Sequence, residues 1–443
     1  MLGTEKKFRD PIHNFIQASP IEVEIINTPI FQKLHNIKQL SLGYYVYHGA
    51  EHSRFGHMLG AMHLAGLAFD SLKRNSEKLG ESFDADDTDK KTIRIAALLH
   101  DVGHAPFSHS LENILGDKHE KYSVVLVENY FADLIKKANV EVETVKNLIL
   151  GDPYPGKHYL SKIVSGQLDV DRLDYLLRDS YYAGVSYGKF DLSRIIDQLC
   201  VVNKEFVVLE GGYESVEQLV FARYQMYQQV YFHKTKRAFE LMLWECGEIL
   251  KENGILDYPS KEALKEKKVQ EEYVQYDDRW FLNKIFDEKN PSEVKTIAKM
   301  IRERIPYIET YSPTTYRKKS DTVRLEPENS IEGLKPIEIH LIRKLSELNI
   351  KKHEFLADHV SRSPYDLMPN YTISDETEPE GTSIQIYYKN NKLMEPIEKR
   401  SHVVFTLAKN QPFMIRGFVI PEKYNIVREF LKSNYDYSIP IRE

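Results

Sequence analysis

The stretch RIAALLHDVGHAPFSHSLENIL, residues 94–115, decides how this chain is read. An apolar run over residues 95–99 leads straight into adjacent His100 and Asp101. His104 and His109 follow within nine positions, and Pro106 bends the backbone between them. On a helix, neighbouring side chains point about 100° apart, so His100 and Asp101 share one ion only over the edge between them. The same geometry stacks His104 one turn beyond His100. A lone helical histidine is usually structural, whereas this density of imidazole asks for a metal or a phosphate. A divalent ion held by His and Asp needs further ligands from other segments.

Two segments offer them. His57, in HSRFGHMLG, has Arg54 three residues earlier on the same helical face. Asp171 lies in QLDVDRLDYLLRD. On a helical wheel with Asp171 at zero, Tyr175 falls at about 40°, Asp179 at about 80° and Arg172 at about 100°, while Val170, Leu173 and Leu177 cluster at about 200–260°. By pattern alone this is a surface amphipathic helix with its charges on the wet side.

Composition sets the frame. The 443 residues, 42% apolar and 28% charged, suffice for a substantial core, and no stretch approaches the uninterrupted apolar run of a membrane span. The N-terminal MLGTEKKFRDP lacks the apolar core of a signal peptide, so a cytoplasmic location is expected. Two cysteines, Cys200 and Cys246, exclude a disulfide scaffold and read as plain thiols. A net charge of −6 supplies no global basic field for nucleic acid, and lysine runs such as residues 265–268 read as solvated faces.

Along the chain, FRDPIHNFIQASP predicts a small hairpin, residues 21–40 an amphipathic helix broken at Pro29, and residues 53–79 a long helix. Further helices are expected over 122–137, 140–150, 167–199 and 214–252, with a hairpin in VVNKEFVVLEGG. GDPYPGKH nearly spells a phosphate-cradling loop, but Pro153 and Pro155 remove two amide donors and His158 stands where a magnesium-binding hydroxyl belongs. Residues 384–420 alternate in the β manner (IQIYY, VVFTLA, FMIRGFVIP), and DETEPEGTS, 375–383, reads as a flexible loop. The expected architecture is mainly α: a helical core over 1–254 with a short N-terminal hairpin, and a smaller mixed α+β region over 255–443.

The series EHSRFGHMLG, LLHDVGHAPFSH and DVDRLDYLLRD resembles the H…HD…D signature of the HD-domain metal-dependent phosphohydrolases. Within that superfamily it is similar to the dNTP triphosphohydrolases that animals fuse to a sterile alpha motif, in the bacterial and archaeal form without that motif. The resemblance runs from about Phe8 to at least Lys234. It implies an HD helical bundle in which His57, His100, Asp101 and Asp171 hold one divalent metal (Mn, Fe, Mg, Zn or Ni), with Mg accompanying the triphosphate. His104 and Arg54 would hold the α-phosphate. His119, oriented by Glu112, would be the acid/base residue, with His109 by the leaving 5′-oxygen. Arg172, Tyr175, Arg223 and Lys234 would surround the outer phosphates. Gln39 and Asp179 would read the sugar 3′-hydroxyl, and Leu40 and Tyr231 would pack on sugar and base.

The resemblance further implies a dNTP substrate, an activating nucleotide and a homotetramer; the lack of a long apolar run implies no membrane partner. Animal members read guanine at a regulatory site with an aspartate and an arginine where this chain has Asn27 and His35; Gln32 is kept. Arg172 replaces a lysine, which preserves charge and favours bidentate phosphate contact. Tyr227 replaces a histidine near the sugar. Two other readings compete: an HD phosphohydrolase for a different phosphate ester, and a nucleotide- or nucleic-acid-binding scaffold with a structural metal.

Overall fold

The computed structural model describes residues 4–311, 314–318, 345, 347–361 and 383–434. Strands β1 (Lys6–Asp10) and β2 (Asn14–Ala18) form the expected antiparallel hairpin. Its turn is pinned by the Asp10 carboxylate, which accepts the Ile12 and His13 amides at 2.9 Å each. Helices α1 (Pro20–Ile26) and α2 (Pro29–Gln32) follow, because the residue before a proline avoids helical ψ and Thr28 sits at ψ 144°. A 3₁₀ turn, Lys33–Asn36, ends this helical stretch four residues before the expected Leu40.

The bundle is built from α3 (Arg54–Leu79), α4 (Asp87–Leu99), α5 (Glu112–Leu115), α6 (His119–Asn129), α7 (Ala132–Lys137), α8 (Val142–Leu150), α9 (His158–Val164), α10 (Val170–Ala183) and α11 (Leu192–Asp197). Helix α3 is its axis: it packs against α4 on one side and α10 on another, and stops where Gly80 adopts φ 75°, a conformation that favours glycine. One apolar cluster fills the space between these helices, with Met58, Leu64, Ile95, Leu98, Leu126 and Leu173 at its centre.

Strands β3 (Leu199–Val202) and β4 (Glu205–Leu209) make the predicted hairpin. The long helix expected over 214–252 is two helices, α12 (Tyr213–Met226) and α13 (Lys234–Glu252), separated by a π-helical turn at Tyr227–Tyr231. Helices α14 (Lys267–Tyr273), α15 (Asp278–Ile285) and α16 (Ser292–Arg302) then close over the bundle, where Phe281, Ile285 and Ile297 join Phe107, Leu111 and Phe239 in a second apolar cluster.

The remaining strands are β5 (Ile308–Tyr311), β6 (Thr314–Lys318), β7 (Phe355–Ser361), β8 (Gln385–Tyr388), β9 (Leu393–Pro396) and β10 (Asn410–Val419). Strand β10 pairs with β5, β6 and β7, whereas β8 lies parallel to β4, so one four-stranded sheet, β3-β4-β8-β9, spans residues on both sides of position 254. VVFTLA does not form a strand. It lies in a helix, His402–Lys409, with Val404 and Ala408 buried four residues apart and the Ser401 hydroxyl accepting the Val404 amide at 3.0 Å. Except for Ser383, DETEPEGTS falls outside the described residues. The chain is mainly α with small sheets toward its C-terminal part, and among the described residues no helix is long and apolar enough to cross a membrane.

Candidate active site

Helix α4 delivers His100 as its C-cap and then stops. The expectation that His104 stacks one helical turn beyond His100 is therefore corrected: residues 101–107 run as turns, with Phe107 and Ser108 both at φ 56°. A carbonyl only accepts, so the 2.8 Å contact between His100 Nδ1 and the Ala97 oxygen places a proton on Nδ1 and turns toward the site Nε2, the nitrogen that is bare in the neutral ring. His57, from the second turn of α3, is set the same way: Nδ1 donates to Asp174 Oδ2 at 2.8 Å. Both Nε2 atoms are buried and lack a hydrogen-bond partner.

These two bare nitrogens converge with Asp101 and with Asp171, near the start of α10. His57 Nε2 lies 3.0 Å from Asp171 Oδ1 and 3.9 Å from Asp101 Oδ2, and His100 Nε2 lies 3.6 Å from one oxygen of each. Atoms about 2.1 Å from one ion stand about 3.0–3.4 Å apart on neighbouring positions; His57, His100 and Asp101 form a group that could hold a metal ion, and Asp171 approaches both imidazoles from the side. Asp171, 34% exposed at its side chain, marks the open side. Electrostatics agree. Burial pushes the His57 imidazole down, but Asp171 and Asp174 outweigh it and raise its pKa to about 10: the carboxylates demand a positive charge between them.

Beside this quartet lies a second group. Asp101 Oδ1 is 3.3 Å from His104 Nε2 and 3.2 Å from His119 Nε2, and the two rings stack at 3.8 Å. Glu112 Oε1 accepts both the His119 amide at 2.6 Å and its Nδ1 at 2.5 Å. Burial opposes protonation of His119, yet Asp101 and Glu112 raise its pKa to about 9. His104 goes the other way, held well below its ordinary range by burial, Arg54 and His119. His109 reaches Glu112 at 3.3 Å with its side chain half exposed. Arg54 is buried, bonding Asp101 through Nη1 and Ser108 Oγ through Nε at 2.8 Å.

Part of the face of α10 read as wet is buried, while Asp171, Arg172 and Tyr175 stay partly exposed. Asp174 is fully enclosed, and Arg178 and Asp179 are nearly so. Asp174 accepts His57, His13 Nε2 at 2.6 Å and Arg178 Nε at 2.8 Å, while Arg178 also binds Asp10 at 2.8 Å. The N-terminal hairpin thus backs the quartet. Such outer partners fix tautomer and ring orientation of metal-ligating histidines. Sequence reasoning did not single out Asp174 or His13, although Asp174 is about 60° from Asp171 on the wheel, a signal that pointed to the same side.

Farther along α10, the Tyr231 hydroxyl donates to Asp179 Oδ2 at 2.8 Å, and His52, unforeseen from sequence, binds Asp179 Oδ1 at 2.7 Å. Gln39 meets this group through its amide to the His52 carbonyl at 3.1 Å, and its buried Oε1 is unpartnered. Leu40 is buried next to it. Arg223 is buried above the Tyr227 ring, with Nε unpartnered, and burial together with Tyr227 raises the Tyr175 phenol well above its usual range against Arg223 and Arg172. Arg172 is tied by Nη1 to Asp169 and to the Gly166 carbonyl, and Lys234 is exposed at the start of α13. Asn27 caps α1 and is exposed, Gln32 donates to the Ile26 carbonyl at 2.8 Å, and exposed His35 stacks on Phe55 at 3.6 Å. Cys200 and Cys246 are buried free thiols.

Residues 54–179 match the HD domain family, and residues 190–307 match the HD associated region. The chain is an HD-domain protein. All four residues of the quartet fall within its HD domain, and α12 to α16 fall within the associated region. An uncharacterized protein of Bacillus subtilis, YwfO, is 37% identical over 245 residues, 55% of each chain. A relative named deoxynucleoside triphosphate triphosphohydrolase SAMHD1 homolog, from Dictyostelium discoideum, is 32% identical over 69% of this chain and 60% of its own. The chain spans about half the length of the curated relatives it matches. The solved structure of a phosphohydrolase from Bacteroides thetaiotaomicron superposes with a TM-score of 0.70 at 27% identity, over 94% of this chain and all of that one.

Proposed function

We propose that this HD-domain protein is a metal-dependent phosphohydrolase that cleaves dNTPs at the α-phosphorus, leaving deoxynucleoside and inorganic triphosphate. The observation that carries the reading is the pair of bare Nε2 atoms of His57 and His100 facing Asp101 and Asp171, one residue away from the His119–Glu112 pair. A divalent ion bound by the quartet would polarise phosphoryl oxygens and lower the pKa of water. His119, kept protonated by Asp101 and Glu112, gives its proton to the leaving 5′-oxygen near half-exposed His109, a role its raised pKa supports. His104, kept neutral, contacts the α-phosphate without adding charge. Arg223 and Tyr175 take the outer phosphates, and Asp179, held by His52 and Tyr231, reads the sugar.

A shorter phosphate ester is the second reading. It is favoured by Arg172 being tied to Asp169 and by Lys234 being exposed, which leaves Arg223 as the main cation for a polyphosphate tail. Assembly as a homotetramer and activation by a nucleotide near Asn27, Gln32 and His35 belong to the same proposal. The test is a panel of dNTPs and NTPs with Mn²⁺, alone and in pairs, with products separated by chromatography. Triphosphate release that His100→Ala and Asp101→Ala abolish is expected. Intact dNTPs under every pairing would refute the reading, and orthophosphate as sole product would favour the shorter ester.

A further inference from the structure

The loop that carries Asp101, His104 and His109 is not self-supporting. Phe107 and Ser108 both adopt φ 56°, a conformation that side-chain-bearing residues hold only when their surroundings impose it. Those surroundings come from the HD-associated region. Asp278, at the first position of α15 and 6% exposed, accepts the Phe107 amide on Oδ1 at 2.6 Å and the Lys38 amide on Oδ2 at 2.8 Å. Phe281, one turn along α15, packs edge-on against the Phe107 ring. From α14, the Tyr273 hydroxyl donates to the Gly103 carbonyl at 3.2 Å, and its ring lies 3.6 Å beneath the ammonium of buried Lys33, which donates to the His104 carbonyl at 3.2 Å.

The Asp278 clip continues inward. By joining residue 38 to residue 107 it sets Ser108, whose hydroxyl donates to the Lys38 carbonyl at 2.8 Å and accepts Arg54 Nε at 2.8 Å. Arg54 then grips Asp101 with Nη1. An unbroken path of hydrogen bonds therefore runs from α15 to a member of the metal quartet. We propose that Asp278 is a positioning residue for the metal centre, acting through Ser108 and Arg54 on Asp101, and that seating this loop is a role of the associated region. The inference rests on the reading of His57, His100, Asp101 and Asp171 as metal ligands.

The chemistry singles out a carboxylate. Two amide donors approach two separate oxygens, and an amide side chain would turn an NH₂ against one of them, leaving a buried N–H unpaired. The experiment compares Asp278→Asn, Ser108→Ala and the double variant in the full-length protein, by Mn²⁺ titration calorimetry and by hydrogen exchange of peptides covering 101–111. Asp278→Asn is expected to speed exchange in that peptide and to weaken Mn²⁺ about 10–100-fold, the range for outer partners of a metal site. The double variant is expected to bind Mn²⁺ no worse than the weaker single one, because both cut the same path.

Unchanged exchange, or losses that multiply in the double variant, would overturn the proposal. Where Asp278→Asn fails to fold, Ser108→Ala decides alone: weakened Mn²⁺ binding supports the path and unaltered binding overturns it. Wild-type protein that takes up no Mn²⁺ would remove the ligand assignment itself, and the exchange measurement would still report on the clip.

Discussion

Gly60→Ala sets two effects of known size against each other. Gly60 lies inside α3, three residues past His57, where a methyl group improves helix propensity by about 1 kcal/mol. A Cβ at that position, however, would stand 1.8 Å from Asp174 Oδ1, 2.5 Å from Asp174 Cγ and 2.7 Å from Arg178 Nη2. Ordinary contact needs about 3.5 Å, so α10 must retreat by about 1.7 Å or Asp174 must turn away. Overpacking costs about 1–3 kcal/mol, and separating a buried carboxylate from its guanidinium about 3–5 kcal/mol. Packing therefore outweighs propensity, and a net loss of about 2 kcal/mol or more is expected. Because Asp174 holds the His57 tautomer, Mn²⁺ affinity should fall about 10–100-fold alongside. Urea unfolding of the metal-free protein and Mn²⁺ calorimetry read the two effects separately. A variant as stable as wild type with unaltered Mn²⁺ binding would show that the α3–α10 contact does not orient His57.

Three further outcomes are expected. In the metal-free protein the His57 pKa is raised above its ordinary value to about 10, so Mn²⁺ binding at pH 8 should release about one proton into weakly buffered solution. By linkage, the metal-free fold should lose stability as pH rises from about 6.5 through about 10, since its bound proton stabilises fully only below the unfolded pKa; a metal-free stability flat over that range would contradict the assignment. Arg223→Gln should raise KM for a dNTP substrate more than for a nucleoside monophosphate, as steady-state kinetics with both would show; equal shifts would place Arg223 away from the outer phosphates.

Much of this site is legible in one dimension because its chemistry concentrates in three short segments. His100 and Asp101 are adjacent, His57 follows Arg54 by one turn, and Asp171 opens a helix; ligand types at such spacings depend only on covalent geometry and helix period. The hairpin at residues 6–18, the long helix ending at Gly80 and the β3–β4 turn follow from local propensity in the same way. VVFTLA reads as a strand but folds as a helix because a short apolar run carries no period of its own. Its helix is decided by the Ser401 cap and by which two residues find the core.

What only the tertiary structure decided is where charge goes. Asp174 and Arg178 carry a pattern indistinguishable from a solvated helix face, and they are buried because His13 and Asp10 arrive from the N-terminal hairpin to meet them. His52 and Asp278 carry no motif at all, yet each meets its partner across more than a hundred residues. The sequence by itself determined that an HD helical core would form and which His and Asp residues stand as its candidate ligands. Which imidazole nitrogen is left bare, which carboxylate supports rather than binds, and what holds residues 107 and 108 in a left-handed turn depend on hydrogen bonds between distant segments. Those bonds have no sequence period to betray them, because burial, and not spacing, makes each partner obligatory.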